Sequence, residues 1–249
     1  MRLISAEMLK LRRRRSLLVW ASVLTVGSMV TIYAVLAVLH ATDPAHHGPA
    51  GGARQFENGM YALSLFGGVA AVMVGAAAGA GDLVSGVFRD LVVTGRPRLQ
   101  LYAARLPAVL AVTVPLALIG AGSAAAATTV FRDGLAAPGA NAIVHGLAWA
   151  ATVAVLNGML GLGLSALVGS RSTVVGVLLA VQLALTPLLV EIDFLGWFRE
   201  ILPHAAAERL EPSNPWFPHQ PLAVAMVVVA AWIAVALAAG AWRTATRDA

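Results

Sequence analysis

Few residues in this chain are suited to acid–base, nucleophilic or metal chemistry, and their spacing supports none of these reactions. His46 and His47 are neighbours in a Gly/Pro-rich stretch, and no H-E-x-x-H pattern occurs, so we expect no metal site. Ser123 and Ser165 lack a G-x-S-x-G setting, and His145 lies at the end of an apolar stretch. We therefore predict that the protein is not an enzyme and binds no cofactor of its own.

ATP hydrolysis by this chain is excluded by a missing motif. The phosphate-binding loop of P-loop ATPases needs Gly-x-x-x-x-Gly-Lys-Ser/Thr, whereas Lys10 is the only lysine and no glycine precedes it. Any ATP that drives this protein must be hydrolysed by a partner.

The composition is that of an integral membrane protein. Of the 249 residues, 59% are hydrophobic and 12% are charged, against about half and about a quarter in soluble domains. Six uncharged stretches are long enough to cross about 30 Å of hydrocarbon as helices. We predict an all-α, polytopic protein with one transmembrane domain over residues 1–249 and six spans, at about 16–39, 60–80, 106–130, 146–168, 174–190 and 222–242.

The basic residues predict the orientation of these spans. Thirteen of the 17 lie before span one, between spans two and three, between spans four and five, or after span six. Because cytoplasmic loops carry the excess of Arg and Lys, both termini are predicted to be cytoplasmic, in a protein integral to the cytoplasmic (plasma) membrane. The basic excess is thus a topology signal, and we expect membrane lipids and no nucleic acid as partners.

The longest polar segment on the predicted cytoplasmic side is 82–105, between spans two and three. Its apolar residues recur every three to four positions, which predicts a short amphipathic helix: Leu83, Val84, Val87, Phe88, Leu91 and Val92. Asp82, Arg89, Asp90 and Thr94 fall on the other face. Such a helix can contact a cytoplasmic partner, and the alternative is a solvated loop that only connects two spans.

Two further segments are predicted to lie at the membrane surface. Residues 1–15 have apolar residues at helical spacing and a basic run, which predicts an interfacial helix. Segment 191–220, on the predicted outer side, combines aromatic residues suited to the interface with four prolines that prevent one continuous helix. We predict an outer re-entrant segment here, beginning with an amphipathic half-helix.

The predicted spans contain no Asp, Glu, Lys or Arg. Proton- and ion-coupled carriers usually rely on such groups, so a secondary carrier is disfavoured, although sodium can also be bound by backbone carbonyls at broken helices. Asn157 and Gln182 are the most polar residues at depth. They could line a substrate path or form interhelical hydrogen bonds, and we favour the second interpretation.

Several segments in order along the chain resemble the permease subunits of exporter-type ABC transporters, whose ATPase is a separate chain. In SAEMLKLRRRRSLLVW the matching residues are Glu7, Lys10, Arg15 and Ser16. In GDLVSGVFRDLVVTGRPRLQLYAARL they are Asp82, Gly86, Phe88, Arg89, Thr94, Gly95 and Arg105. The family more often has glutamate where Asp82 stands. GLGLSALVGSRSTVVG, LGWFREILPHAAA and AWRTATRDA are similar to its later segments.

The resemblance implies that this chain is a permease, exporting its substrate and working as a homodimer or beside a second permease chain. Its coupling helix, with Asp82, Gly86, Phe88, Arg89, Asp90 and Thr94, is expected to dock on a cytoplasmic ATPase that holds ATP and magnesium. Glu7, Lys10 and Arg15 are expected to belong to the N-terminal interfacial helix. The alternatives are a non-transporting scaffold or sensor that recruits a cytoplasmic partner, and a secondary carrier.

Overall fold

The computed structural model describes residues 2–84, 97–211 and 219–246. All regular structure in these ranges is helical, and six of the helical segments are long and apolar enough to cross a membrane. The prediction of an all-α membrane protein with six such helices is confirmed. We number the spans 1 to 6 in chain order: Arg15–Thr42, Ala53–Gly81, Arg98–Val130, Ala140–Val168, Arg171–Val190 and Leu222–Thr246.

Spans 1, 3 and 5 are each built from more than one helical element. Span 1 consists of Arg15–Ser22, a π-helical turn at Val23–Gly27, and Ser28–Thr42, and span 3 consists of Arg98–Ala103 and Arg105–Val130. Span 5 consists of Arg171–Ala180, a π-helical turn at Val181–Leu185, and Thr186–Val190. Pro187 has no N–H to donate to the carbonyl four residues earlier, which accounts for the irregular turn in span 5.

Span 2 belongs to a longer helix than the hydropathy predicted. This helix covers Ala53–Val84, so the polar residues before position 60 are helical rather than part of a loop. Ala, Arg, Gln and Glu are all good helix formers, which explains the longer helix. The hydroxyl of Tyr33 in span 1 also donates a 2.8 Å hydrogen bond to the carbonyl of Gln55. The polar residues at 53–59 thus end the apolar stretch but lie within the helix.

Spans 2 and 4 form the centre of the bundle. In their most apolar windows 67% of the residues are buried, against 17% in spans 1, 5 and 6. A Cβ atom at Gly75 would overlap the carbonyl of Gly158, and one at Gly79 would overlap Ser165 and the carbonyl of Leu162. Glycine at these positions therefore allows the two helix backbones to approach closely.

Other helices lie outside the spans. The N-terminal helix is Arg2–Arg13, and its Leu11 is buried in the bundle. The outer segment contains a 3₁₀ helix at Asp193–Ile201, bent at Gly196, and a short α-helix at Pro203–Arg209. We call the second of these the outer helix. The position of these elements relative to a membrane stays a prediction.

Candidate functional site

Most of the predicted coupling residues lie outside the described residues. These are Gly86, Phe88, Arg89, Asp90 and Thr94. The backbone of Asp82 is described, and it lies in the last turn of the helix Ala53–Val84.

Two arginine side chains, Arg14 and Arg105, connect the helices that lie next to residues 85–96. Arg105, at the start of span 3, is 2% exposed, and its Nη1 donates a 2.9 Å hydrogen bond to the carbonyl of Gly79. Arg14 Nη1 donates to the carbonyl of Ala77 at 3.1 Å. A carbonyl oxygen has two lone pairs and can accept such a bond beside its helical one. The end of span 2 is thereby linked to the starts of spans 1 and 3.

The residues predicted for the N-terminal helix have distinct surroundings. Glu7 is buried, and its Oε1 lies 2.7 Å from Nζ of Lys10, one helical turn away, with which it forms an ion pair. Arg15 is exposed and lies at the start of span 1.

The structure brings the buried side chains of Asn157 and Gln182 together beside Gly68 in span 2. A Cβ atom at Gly68 would lie 2.6 Å from Gln182 Nε2 and 3.3 Å from Asn157 Nδ2. Asn157 Nδ2 donates a 3.0 Å hydrogen bond to the carbonyl of Val153 in its own helix. Gln182 Oε1 is buried and has no hydrogen-bond partner among the described residues.

Gln182 also lines a small polar cavity between span 2, span 5 and the outer helix. The cavity has a volume of about 120 Å³, which is room for several water molecules. Its polar lining residues are Tyr61, Ser64, Gln182, His204 and Glu208, and its apolar ones are Leu65, Leu183 and Pro187.

His204 is a buried polar group of the cavity with unused hydrogen-bonding capacity. The residue is 9% exposed, and neither ring nitrogen finds a partner in the described part of the chain. Burial lowers the pKa of His204 to about 4, because an imidazolium cannot be solvated there. The ring is therefore neutral at pH 7, with one N–H donor and one acceptor nitrogen available to a solute or to water in the cavity.

Glu208, one helical turn after His204, is also held in its neutral form. Burial raises the pKa of its carboxyl to about 8, and the charge of Glu211 acts in the same direction. The Ser64 hydroxyl lies 3.4 Å from Glu208 Oε1 and 2.8 Å from the carbonyl of Tyr61. Since a hydroxyl has one proton, which the shorter contact uses, a protonated Glu208 can donate to Ser64.

The outer helix reaches well below the outer ends of the spans. Trp149 Nε1 in span 4 donates to the carbonyl of Ala207 at 2.9 Å, and Trp232 Nε1 in span 6 donates to that of Ile201 at 2.8 Å. With a rise of 1.5 Å per residue, Ser64, Trp149 and Trp232 lie roughly 13–17 Å along their helices from the first residues, Ala53, Ala140 and Leu222. The cavity therefore lies between the helices of the bundle, with the partly exposed Tyr61 and Leu183 at its edge.

We predict that Trp149→Phe destabilises the position of the outer helix. The change keeps an aromatic ring in a buried site and removes the hydrogen bond to Ala207, so the free energy of unfolding should fall by about 1 kcal/mol. In detergent this corresponds to a fall of about 2–4 °C in the unfolding temperature. Trp242→Phe, at a residue that is 62% exposed, is the control and should leave the temperature unchanged. Equal behaviour of the two variants would contradict this role for Trp149.

Ser64, His204 and Glu208 were not predicted as site residues from the sequence. The sequence ILPHAAAERL does contain a signal for such a site. His204 and Glu208 are four residues apart and therefore share one face of a helix. In the described residues, no three His, Asp or Glu side chains are grouped so as to hold a metal ion.

The fold defines the class of protein as an all-helical integral membrane protein. No protein-family model matches the chain, and no curated protein matches it either.

Proposed function

We propose that this chain is the transmembrane permease subunit of an ABC exporter, that a partner ATPase supplies the energy, and that a second permease chain completes the transporter. The proposal places the chain in the cytoplasmic membrane with both termini in the cytoplasm. ATP and magnesium are then bound by the partner ATPase, and this chain carries out no catalysis.

The observation that carries the proposal of transport is the polar cavity between spans 2 and 5 and the outer helix. Buried polar atoms without partners are unfavourable in a protein that only has to be stable in a bilayer. His204 and Gln182 provide such atoms at one cavity in the described residues. In a transporter, the polar groups of a bound substrate can form hydrogen bonds with these atoms. A scaffold binds no substrate and would leave the same atoms without a function.

The hydrogen bonds of Arg14 and Arg105 support the proposal of coupling. A force applied to residues 85–96 by an ATPase has to reach the spans. Because Arg105 joins the start of span 3 to the end of span 2, the two helices that flank this segment are held together. A displacement of the segment would therefore move both spans as a unit.

The low burial of spans 1, 5 and 6 supports a second chain. Their lateral faces include large exposed apolar side chains such as Val30, Leu188 and Val227. In a single bundle all three faces contact lipid, whereas in the proposed dimer part of this surface is buried between permease chains.

A proton-coupled carrier is the second candidate function, and Glu208 is the observation that favours it. The predicted spans contain no Asp, Glu, Lys or Arg, but the outer helix brings Glu208 and His204 to the level of the spans. A carboxyl with a pKa of about 8 can bind and release a proton near neutral pH. Such a carrier needs a proton gradient and no ATPase.

The test is to purify the tagged protein from its native cells in mild detergent and to identify the chains that copurify. We expect a P-loop ATPase in stoichiometric amount. Phe88→Asp and Arg89→Glu should insert normally but lose the ATPase, and with it substrate-dependent ATP hydrolysis, because both residues lie on the proposed docking helix. Phe88→Leu and Arg89→Lys serve as matched controls and should retain it.

Each alternative predicts a different result. Transport by the purified chain alone, driven by a proton gradient and abolished by Glu208→Gln, would replace the ABC proposal with the carrier. A stoichiometric partner without a P-loop, bound independently of any solute, would indicate a scaffold. Normal transport by both Phe88→Asp and Arg89→Glu would contradict the docking site.

A further inference from the structure

A basic cleft lies at the end of the bundle that carries the N-terminal helix. It has a volume of about 710 Å³ and is bounded by the junction of this helix with span 1, the end of span 2, and the turn between spans 4 and 5. Its polar side chains are Arg13, Arg14, Arg15, Ser16, Arg171 and the serines on either side of Arg171. The side chains of residues 82–84 are not described; among those that are, only basic, serine and apolar ones line the cleft.

The structure fixes the positions of several of these groups. Arg14 is held by its hydrogen bond to the carbonyl of Ala77. Ser170 caps the helix Arg171–Ala180, its hydroxyl accepting a 3.4 Å hydrogen bond from the backbone N–H of Thr173. The N-terminus of this helix adds partial positive charge beside Arg171. Arginine guanidinium groups and a helix N-terminus are the groups that bind phosphate in proteins.

We propose that this cleft binds the phosphate headgroup of an anionic phospholipid. A free anion and a lipid offer the same phosphate, but the surroundings of the cleft favour the lipid. The spans beside it present exposed apolar side chains near the cleft, namely Val19 and Trp20 in span 1 and Val168 in span 4, each more than half exposed. These side chains provide an apolar surface for acyl chains next to the basic site.

This inference does not depend on the proposed function, because it rests on the charge and position of the cleft. If the lipid binds here, it also contacts Arg14 and the turn between spans 4 and 5. Its loss should therefore loosen the contact between the N-terminal helix and the end of span 2.

The test is native mass spectrometry of the full-length protein, released from nanodiscs that contain equal amounts of phosphatidylglycerol and phosphatidylcholine. We expect selective retention of phosphatidylglycerol. Arg13→Gln and Arg171→Gln should each weaken this retention about fivefold, as expected for one basic residue near an anionic headgroup. Arg12→Gln is the matched control, because it removes the same charge from an exposed neighbour that does not line the cleft.

Several outcomes would overturn the proposal. An equal loss in Arg12→Gln would mean that the basic run attracts lipid without a defined site. Equal retention of phosphatidylcholine would exclude recognition of the negative headgroup. Displacement of the lipid by millimolar inorganic phosphate would assign the cleft to a soluble anion. Each variant is first shown to elute as a single species with the unfolding temperature of the wild type, so that misfolding is not counted as lost binding.

Discussion

Gly75→Leu is expected to prevent the protein from folding into a stable bundle. Even a Cβ atom at this position would overlap the carbonyl of Gly158 and lie 2.9 Å from the backbone nitrogen of Leu162. These neighbours are backbone atoms of span 4, which cannot change rotamer to make room. Overpacking in a core usually lowers stability by about 1–3 kcal/mol, and a clash with backbone should reach or exceed the upper end of that range.

The measurement is the yield and the unfolding temperature of the detergent-purified protein, followed by size-exclusion chromatography after heating. Gly122→Leu and Gly176→Leu provide matched controls, because no neighbouring heavy atom lies within 4 Å of a Cβ at either position. Both controls should behave as the wild type. A Gly75→Leu protein as stable as these controls would show that spans 2 and 4 do not pack as the structure describes.

The close contact of spans 2 and 4 was only partly predictable from the sequence. Gly75 and Gly79 form a GxxxG pair, which favours helix contact but does not name the partner helix. The partner became evident only from the structure, because Gly158 and Ser165 are far away in sequence. The spans themselves were predictable, since the length and apolar character of a membrane helix are set by the bilayer.

The polar cavity was not predictable for a different physical reason. Its polar groups come from three separate stretches, and each of them looks unremarkable on its own: a serine in an apolar helix, a glutamine in a short span, and a proline-rich outer segment. The hydropathy of 191–220 indicates a segment outside the spans and carries no information about depth. Depth is set by tertiary contacts, here the hydrogen bonds from Trp149 and Trp232 to backbone carbonyls of the segment.

Glu208 also shows how a membrane protein can place a carboxyl group among its spans without a charge. A buried carboxylate without a cationic partner is strongly unfavourable, so the group takes up a proton instead. The six apolar stretches predicted from the sequence contain no acidic residues, and they therefore do not show the chemistry of the bundle. The outer helix supplies the acidic group, and the cavity accommodates it in neutral form.

Because Glu208 is protonated in the folded protein, we predict that the free energy of unfolding falls as the pH rises through the neutral range. The carboxyl of Glu208 has a folded-state pKa of about 8, against about 4.3 in an unfolded chain. Below about pH 4.3 both states are protonated and the group has no effect on stability. As the pH rises from there to about 8, only the unfolded chain releases the proton, so the unfolded state gains stability relative to the folded one.

The other titratable groups at the cavity do not reverse this trend at neutral pH. The pKa of His204 is lowered to about 4 in the folded protein. His204 therefore lowers the stability only below about pH 6.5, where the unfolded chain takes up a proton that the folded protein does not. Tyr61 lines the same cavity, and a phenol remains neutral over this range. Glu211 is the nearby acidic group whose charge adds to the rise in the pKa of Glu208. Between about pH 6.5 and pH 8 the contribution of the cavity to the slope should therefore come from Glu208.

Glu208→Gln isolates this effect, because glutamine has the shape of the protonated acid and cannot ionise. We expect the unfolding temperature of the wild type to fall steadily between pH 6.5 and pH 8, whereas that of the variant falls less and is higher than the wild type at pH 8. The raised pKa of the partly exposed His40, just beyond the predicted span 16–39, gives both proteins the same small additional slope. Glu57→Gln, which changes an exposed carboxylate, should retain the wild-type slope. Parallel curves for Glu208→Gln and the wild type would show that Glu208 is ionised in the folded protein, and the cavity would then hold a negative charge that needs a cation as its partner.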